Sequence, residues 1–283
     1  MKPKSIKIKF IYGAVAVFFA FYALTVLFPF LWAFLCAMRD KTSYLNNMTA
    51  LPERFTLVNF GKAFSDFKVF DYNFIDMFIT SLVFTACGTF MSLLSSLLTS
   101  YVIAKYRFRL QGFFYGLAIF IMIIPIVGSM PSTYKLVSDL GMKDNPVSIS
   151  LLYAGGFGMN FIILHGFIKG ISWSYAEAAF VDGASDWQVF VTIMIPQAKP
   201  ALVAVGITTA ISMWNDYLTP FLYLEHRPTL AYGIYQFEWD TRQTYEYPVL
   251  FAGILLSAIP PLAIFAMFQK TIMENMVAGG LKG

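Results

Sequence analysis

One carboxylate interrupts the long apolar stretches of this chain: Asp216, within Trp214-Asn215-Asp216-Tyr217. A charge at the bilayer centre costs about 2.5–3.5 kcal/mol on insertion scales, so such a residue usually faces a protein interior or a wet cavity. Amides bind hydroxyl groups and aromatic faces stack on sugar rings, so these four residues are candidates for the lining of a polar solute path. A helix–helix hydrogen bond or an interfacial aromatic belt fits them equally well, and both interpretations stay open.

The sequence offers little other reactive chemistry. It has only two histidines, and neither belongs to an H-E-x-x-H pattern. Cys36 and Cys87 fall inside apolar runs, where cysteine behaves as a small hydrophobe. No phosphate-binding G-x-x-x-x-G-K-[ST] pattern is present. We therefore expect no catalytic residue, no metal site, no cofactor and no enzyme activity in this chain.

The amino-acid composition indicates which kind of secondary structure holds these residues. Apolar residues make up 58% of the 283 positions, charged residues 13%, and the mean hydropathy is +0.65. A soluble domain is about 25% charged, so the composition indicates a polytopic membrane protein. A spanning helix needs about 20 apolar residues, and backbone in lipid must be helical. We predict an all-α protein with six transmembrane helices, at about 10–38, 77–104, 110–134, 145–168, 200–224 and 247–269.

The placement of Lys and Arg predicts the orientation. The lysines within 1–9 and the cluster Lys105-Arg107-Arg109 favour a cytoplasmic N-terminus. With six spans, the C-terminal tail at 271–283 and the loop at 169–199 are then also cytoplasmic. The net charge of +4 follows from this topology and does not indicate a nucleic-acid partner.

The loop at 169–199 carries the strongest local pattern. Two capping-box spacings flank a turn signal: Ser174 with Glu177, and Ser185 with Gln188. Asp182-Gly183 between them favours a tight turn, because glycine adopts positive φ at no steric cost. We predict a short helix, a tight turn and a second short helix that ends at Pro196, with Pro200 in the first turn of the next span.

Residues 172–196, here called the EAA segment, resemble the EAA loop of ABC-importer permeases (E-A-A, three residues, G, nine residues, I-x-L-P). The matching residues are Glu177, Ala178, Ala179, Gly183, Ile193 and Pro196, with Asp182 and Ala184 completing D-G-A. Ile195 stands where Leu is usual. The tail Ala278-Gly279-Gly280-Leu281-Lys282-Gly283 and Pro260-Pro261 are similar to the maltose-type sugar permeases. The chain thus resembles their smaller, six-span permease.

The resemblance implies a multi-pass protein of the cytoplasmic (inner) membrane that imports a sugar, most simply an oligosaccharide. Its implied partners are a second homologous permease, an ABC ATPase dimer, an extracytoplasmic solute-binding protein and the membrane lipid. The EAA segment would be the coupling helix seated in the ATPase. The aromatic residues of the 225–246 loop would contact the binding protein: Tyr232, Tyr235, Phe237 and Trp239. The alternative from the residues alone is a secondary transporter that uses Asp216 as its coupling group.

Overall fold

The computed structural model describes the backbone of residues 6–124 and 128–280 and the side chains of residues 11–124 and 128–270. These residues are largely helical, with one isolated β-bridge between Val69 and Tyr72. The α-helices are α1 (Ile6–Ala37), α2 (Lys41–Asn46), α3 (Val58–Ser65), α4 (Phe74–Lys105), α5 (Gln111–Ile123), α6 (Ser129–Asp139), α7 (Pro146–Ser150), α8 (Met159–Gly170), α9 (Ser174–Val181), α10 (Asp186–Val189), α11 (Ile195–Trp214), α12 (Leu218–Tyr223), α13 (Leu230–Thr244) and α14 (Tyr247–Gly280). The all-α fold class is confirmed.

Among the described residues, four helical stretches are long and apolar enough to cross a membrane: Ile11–Ala37, Phe74–Lys105, Asp186–Trp214 and Tyr247–Lys270. At about 1.5 Å rise per residue, α4 is about 48 Å long, which exceeds the hydrocarbon thickness of about 30 Å. Asp76 lies in its first turn and Lys105 in its last, where each charge complements the helix dipole. The side chains of the predicted terminal segments 1–9 and 271–283 lie outside the described residues.

Two of the predicted spans hold shorter helices than expected. In 110–134, α5 ends at Ile123, and Ile124 is extended because it precedes a proline, Pro125, which itself lies outside the described residues. In 145–168, α7 and a short 3₁₀ turn are separated from α8 by the stretch 154–158. Gly156 and Gly158 there have φ of +72° and +133°, which no helix accommodates. The exact bounds of these spans stay a prediction.

The EAA segment continues into α11 without a break, so the prediction that Pro196 ends a helix is wrong. Helix α10 leads into a π-helix at Phe190–Met194, and α11 begins at Ile195. The Ile195 N–H donates to the carbonyl of Phe190, five residues back, and Pro196 lies in the first turn of α11, where a missing N–H is tolerated. Pro200 consequently lies inside α11 rather than in its first turn.

Contacts divide the chain into two compact units. The first unit holds the described residues up to Phe74 together with Ile234–Ala258. Its α1 is exposed along residues 11–31, whereas Arg39 just beyond it is buried. Asn59 of α3 donates from Nδ2 to the carbonyls of Ala37 and Arg39 at 2.8 and 2.7 Å. These hydrogen bonds order the chain between α1 and α3.

The second unit holds Ile75–Gly233 and the described residues from Ile259 onward. Its core is formed by α4, α8 and α11, and α4 and α11 approach closely where a glycine of one helix faces a side chain of the other. A Cβ added to Gly88 would lie 2.6 Å from Met213 Sδ, and one added to Gly206 would lie 3.2 Å from Leu93 Cδ1. Small residues at such contacts allow helices to pack tightly in a membrane.

Candidate functional site

The EAA segment forms a helical hairpin with a sharply defined turn. Helix α9 ends at Val181, and Gly183 adopts φ of +83°. The N–H of Gly183 donates to the Phe180 carbonyl at 3.0 Å, and the N–H of Ala184 donates to the Ala179 carbonyl at 2.9 Å. This pair of hydrogen bonds is the Schellman arrangement, which satisfies carbonyls that the end of a helix leaves free. The predicted turn at Asp182-Gly183 is confirmed.

One of the two predicted capping boxes is present. Ser185 Oγ accepts a hydrogen bond from the Gln188 N–H at 3.3 Å, and the Ser185 N–H donates to Gln188 Oε1 at 2.8 Å. The predicted box of Ser174 with Glu177 is wrong. Helix α9 begins with Trp173 as its N-cap, and Ser174 Oγ pairs with Ser172 Oγ at 2.7 Å instead.

The outer face of the hairpin exposes large apolar side chains. The exposed fraction is 55% for Tyr175, 88% for Val181 and 65% for Trp187. Glu177 and Asp182 are exposed on the same hairpin, and neither carboxylate has a hydrogen-bond or ion-pair partner among the residues that the structure describes. Ala178, Gly183 and Pro196 are exposed as well. Exposed large apolar side chains on one short segment are typical of a surface that contacts another protein.

The inner face of the hairpin packs on the core of the second unit. Ala176 is fully buried, and Ala179, Phe180 and Ala184 pack against the same cluster. That cluster joins residues of α4, α8 and α11 to the hairpin; its buried members are Leu97, Tyr101, Leu164, Ile168, Ala176, Val189, Phe190, Met194, Ala198, Ala201 and Val205. Ile193 is half-buried within the π-helix. A force on the exposed face would therefore act on three helices together.

The space beside Gly183 is open. A Cβ at this position would meet no atom of the described residues within 4 Å. The requirement for glycine therefore comes from the left-handed backbone, which side chains with a Cβ adopt only with strain. A branched residue here would also project into the space beside the exposed patch.

The predicted span 200–224 is interrupted at Asp216, between α11 and α12. Its Oδ2 accepts a hydrogen bond from the Tyr153 hydroxyl at 2.6 Å, and its Oδ1 accepts one from the Thr219 N–H at 3.0 Å. Pro220 has no N–H to donate to the Asp216 carbonyl four residues before it, so a continuous helix here would lack that hydrogen bond. Both carboxylate oxygens are thus used to join α12 to the segment before α8, and this structural role accounts for the charge without a coupling function.

The neighbours of Asp216 divide into buried and exposed residues. Trp214 is buried and packs edge-to-face on Phe78, with ring centroids 5.7 Å apart. Asn215 is exposed and donates from Nδ2 to the Ile211 carbonyl at 2.8 Å, and Tyr217 is 44% exposed. That these four residues line a solute path stays a prediction.

The core contains a second polar contact, which the sequence does not predict. Asn160 of α8 donates from Nδ2 to Ser92 Oγ of α4 at 3.1 Å and to Thr209 Oγ1 of α11 at 3.0 Å. One amide thus connects the three core helices. Its only sequence signal is an amide within an apolar segment, and the partners lie 68 and 49 residues away.

The 225–246 segment is mostly helix α13 rather than a loop. Tyr232 is buried against Phe221, and Phe237 is buried in a stack on Phe67 with centroids 4.3 Å apart. Tyr235 is half-buried. Trp239 is 50% exposed beneath the guanidinium of Arg242, 4.5 Å from the ring centroid. Trp239 is therefore the best placed of the four aromatics to meet another protein.

The described residues include four helices long and apolar enough to cross a membrane, and an exposed helical hairpin that packs on α4, α8 and α11, which together define a polytopic membrane protein. The chain belongs to the family described as "Binding-protein-dependent transport system inner membrane component", whose model matches residues 92–274. The matched region includes the whole EAA segment.

Named relatives and a solved structure are similar along nearly the whole chain. The probable ABC transporter permease protein YurM of Bacillus subtilis (strain 168) is 28% identical over 274 residues, 95% of this chain and 88% of YurM. The galactooligosaccharides transport system permease protein GanQ of the same strain is 27% identical and covers 93% of both chains. A chain of a bacterial ABC transporter for the acidic polysaccharide alginate is 26% identical, with a TM-score of 0.78 over 95% of this chain and 99% of that chain.

Proposed function

We propose that this chain is a transmembrane subunit of an ATP-driven carbohydrate importer. It forms the translocation path with a second, homologous permease, while ATP is hydrolysed by a separate ABC ATPase dimer. Both termini and the EAA segment face the cytoplasm, and a solute-binding protein delivers the solute from the opposite side. The family supports the requirement for a binding protein, and the absence of a phosphate-binding loop agrees with a separate motor.

The observation that carries the proposal is the two-sided EAA hairpin. Its outer face offers Tyr175, Val181 and Trp187 to a partner, and its inner face is packed on α4, α8 and α11. Closure of the ATPase would displace the hairpin, and the shared core would carry that displacement to the three helices. The nucleotide can shift the equilibrium between the two states of the permease only through its different affinity for them.

The solute class rests on the relatives. GanQ is described as a galactooligosaccharides permease, NgcG of Streptomyces coelicolor as a permease for diacetylchitobiose, and the similar solved structure belongs to an alginate importer. Trp239 on the exposed face of α13 is the proposed contact for the binding protein, as an aromatic anchor of this kind commonly dominates an interface.

Changing Trp187 to aspartate is expected to reduce about tenfold the ATPase that co-purifies with the tagged chain in mild detergent, because a charge replaces an apolar anchor. Trp239→Asp is the matched control, since Trp239 is similarly exposed (50% against 65%) and lies on α13. The readout is the ratio of ATPase to permease on a stained gel, with both partners identified by mass spectrometry. Equal losses from the two variants, or recovery of the wild-type chain without any ATPase, would contradict the proposal.

A further inference from the structure

The end of α4 is fastened to the EAA segment by a hydrogen bond between distant residues. Tyr106 directly follows α4, and its hydroxyl donates to Asp186 Oδ1 at 2.6 Å across 80 residues of sequence. Hydrogen bonds to a carboxylate are shorter and about twice as strong as those between neutral groups. Asp186 opens α10, directly after the Gly183 turn and the Ser185 cap. The hydrogen bond therefore connects the end of α4 to the hairpin close to its turn.

The hydrogen bond itself is exposed, and the Tyr106 ring that carries its hydroxyl contacts two other aromatic rings. Tyr106 packs edge-to-face on Trp173 with centroids 5.9 Å apart, and on Tyr101 with centroids 5.6 Å apart. Trp173 in turn contacts Phe180 of α9 at 6.0 Å, and Tyr101 contacts Phe190 of the π-helix at 4.6 Å. Edge-to-face pairs add about 0.5–1.5 kcal/mol each beyond the burial of area. The rings thus connect Tyr106 to both arms of the hairpin.

The chemistry of the tyrosine suits a permanent contact. Burial and the hydrogen bond to Asp186 both raise the pKa of Tyr106 above its ordinary value. Its hydroxyl therefore keeps its proton and stays a donor throughout the physiological range. The neighbouring Lys105 Nζ donates to the carbonyl of Ile171, which precedes α9. The end of α4 thus holds the hairpin from two adjacent residues.

We propose that Tyr106 is a positioning residue that transmits displacement of the EAA segment to α4. The inference rests on the proposed function and names one mechanical connection within it. The hairpin is joined covalently to α11, whereas α4 follows it only through side-chain contacts. Apolar contacts allow sliding, and the directional hydrogen bond from Tyr106 to Asp186 resists it. Without this hydrogen bond only the apolar core contacts and the Lys105 hydrogen bond would connect α4 to the hairpin, and α4 would follow its movement less closely.

The test uses the assembled complex reconstituted in lipid, without solute or binding protein, and measures basal ATP hydrolysis. Under this proposal, closure of the ATPase must move α4 together with the hairpin, which slows closure and lowers the basal rate of the wild-type complex. Tyr106→Phe keeps the ring contacts and removes only the hydroxyl, so closure becomes easier and the basal rate rises about threefold or more. Loss of structure would lower the rate or the yield and would not raise it. Tyr115→Phe is the matched control, because the Tyr115 hydroxyl has no hydrogen bond among the described residues.

A second variant and a double variant complete the test. Asp186→Ala removes the acceptor while Ser185 and Gln188 still cap α10, so it should raise the basal rate like Tyr106→Phe. The double variant should equal the single ones, since both break the same contact. An unchanged or reduced rate in Asp186→Ala, or additive effects in the double variant, would overturn the inference even if Tyr106→Phe gave no complex. If no ATPase co-purified with the wild-type chain, that result would instead contradict the proposed function.

Discussion

Gly183→Val is expected to reduce ATPase binding to the chain by about tenfold or more while the chain still inserts and folds. Gly183 has φ of +83°, and a left-handed residue with a Cβ costs about 1–2 kcal/mol, more when it is β-branched. Valine would therefore distort the Schellman turn that orients Val181 and the start of α10. Its branched side chain would also enter the space that a partner must fill. The ATPase-to-permease ratio after purification measures the effect.

Gly170→Val is the control for this substitution. Gly170 ends α8, its φ lies outside the positive region, and a Cβ there would meet no atom of the part of the chain that the structure describes within 4 Å. It adds the same side chain near the EAA segment without straining a turn. If both variants retained the wild-type ratio, the turn would not be the element that the ATPase recognises.

Arg39→Ala is expected to destabilise the first unit by about 3 kcal/mol or more, since each hydrogen bond to a charged group contributes about 1.5–3 kcal/mol. The Arg39 side chain is only 1% exposed. Its guanidinium donates to the carbonyls of Ala50, Ser43 and Asn47 at 2.8, 2.5 and 2.9 Å. Alanine would remove the donor from three carbonyls, those of half-buried Ser43 and Ala50 and of exposed Asn47, and release the segment between α1 and α3.

The measurement for Arg39 is the thermal unfolding midpoint of the purified protein, together with the rate of proteolysis at residues 40–57. Arg54→Ala is the matched control, because Arg54 is exposed and has no hydrogen bond among the described residues. Arg39→Lys should lie between the two, since an ammonium group keeps the charge and cannot reach all three carbonyls. Equal midpoints for Arg39→Ala and Arg54→Ala would contradict this role.

Local features of the EAA segment were accessible from sequence. The turn at Gly183 and the cap at Ser185 depend on residues within a few positions of each other, and their types nearly determine the geometry. The capping box predicted at Ser174 does not form, because the Ser174 hydroxyl pairs with the nearby Ser172 hydroxyl. Pro196 was misjudged because the π-helix before it lets the chain pass a proline without ending the helix.

The contacts that organise the core could not be predicted. Asn160 pairs with Ser92 and Thr209, and Tyr106 pairs with Asp186, across separations of 49 to 80 residues. Such pairs depend on how helices align, and hydropathy does not specify that alignment. Asp216 illustrates the same limit: its position in the sequence indicated a polar environment, and only the structure identifies Tyr153 and Thr219 as its partners.

The most direct test of the account is photocross-linking from position 181 in the full-length chain expressed with its native partners. Val181 is 88% exposed, so p-benzoylphenylalanine can replace it without disturbing the core. The account predicts an ultraviolet-dependent adduct whose peptides identify an ABC ATPase, and no such adduct from the same group at Leu82 on α4, which is 46% exposed. A chain that remains in the membrane and gives no ATPase adduct from position 181 would contradict coupling through the EAA segment.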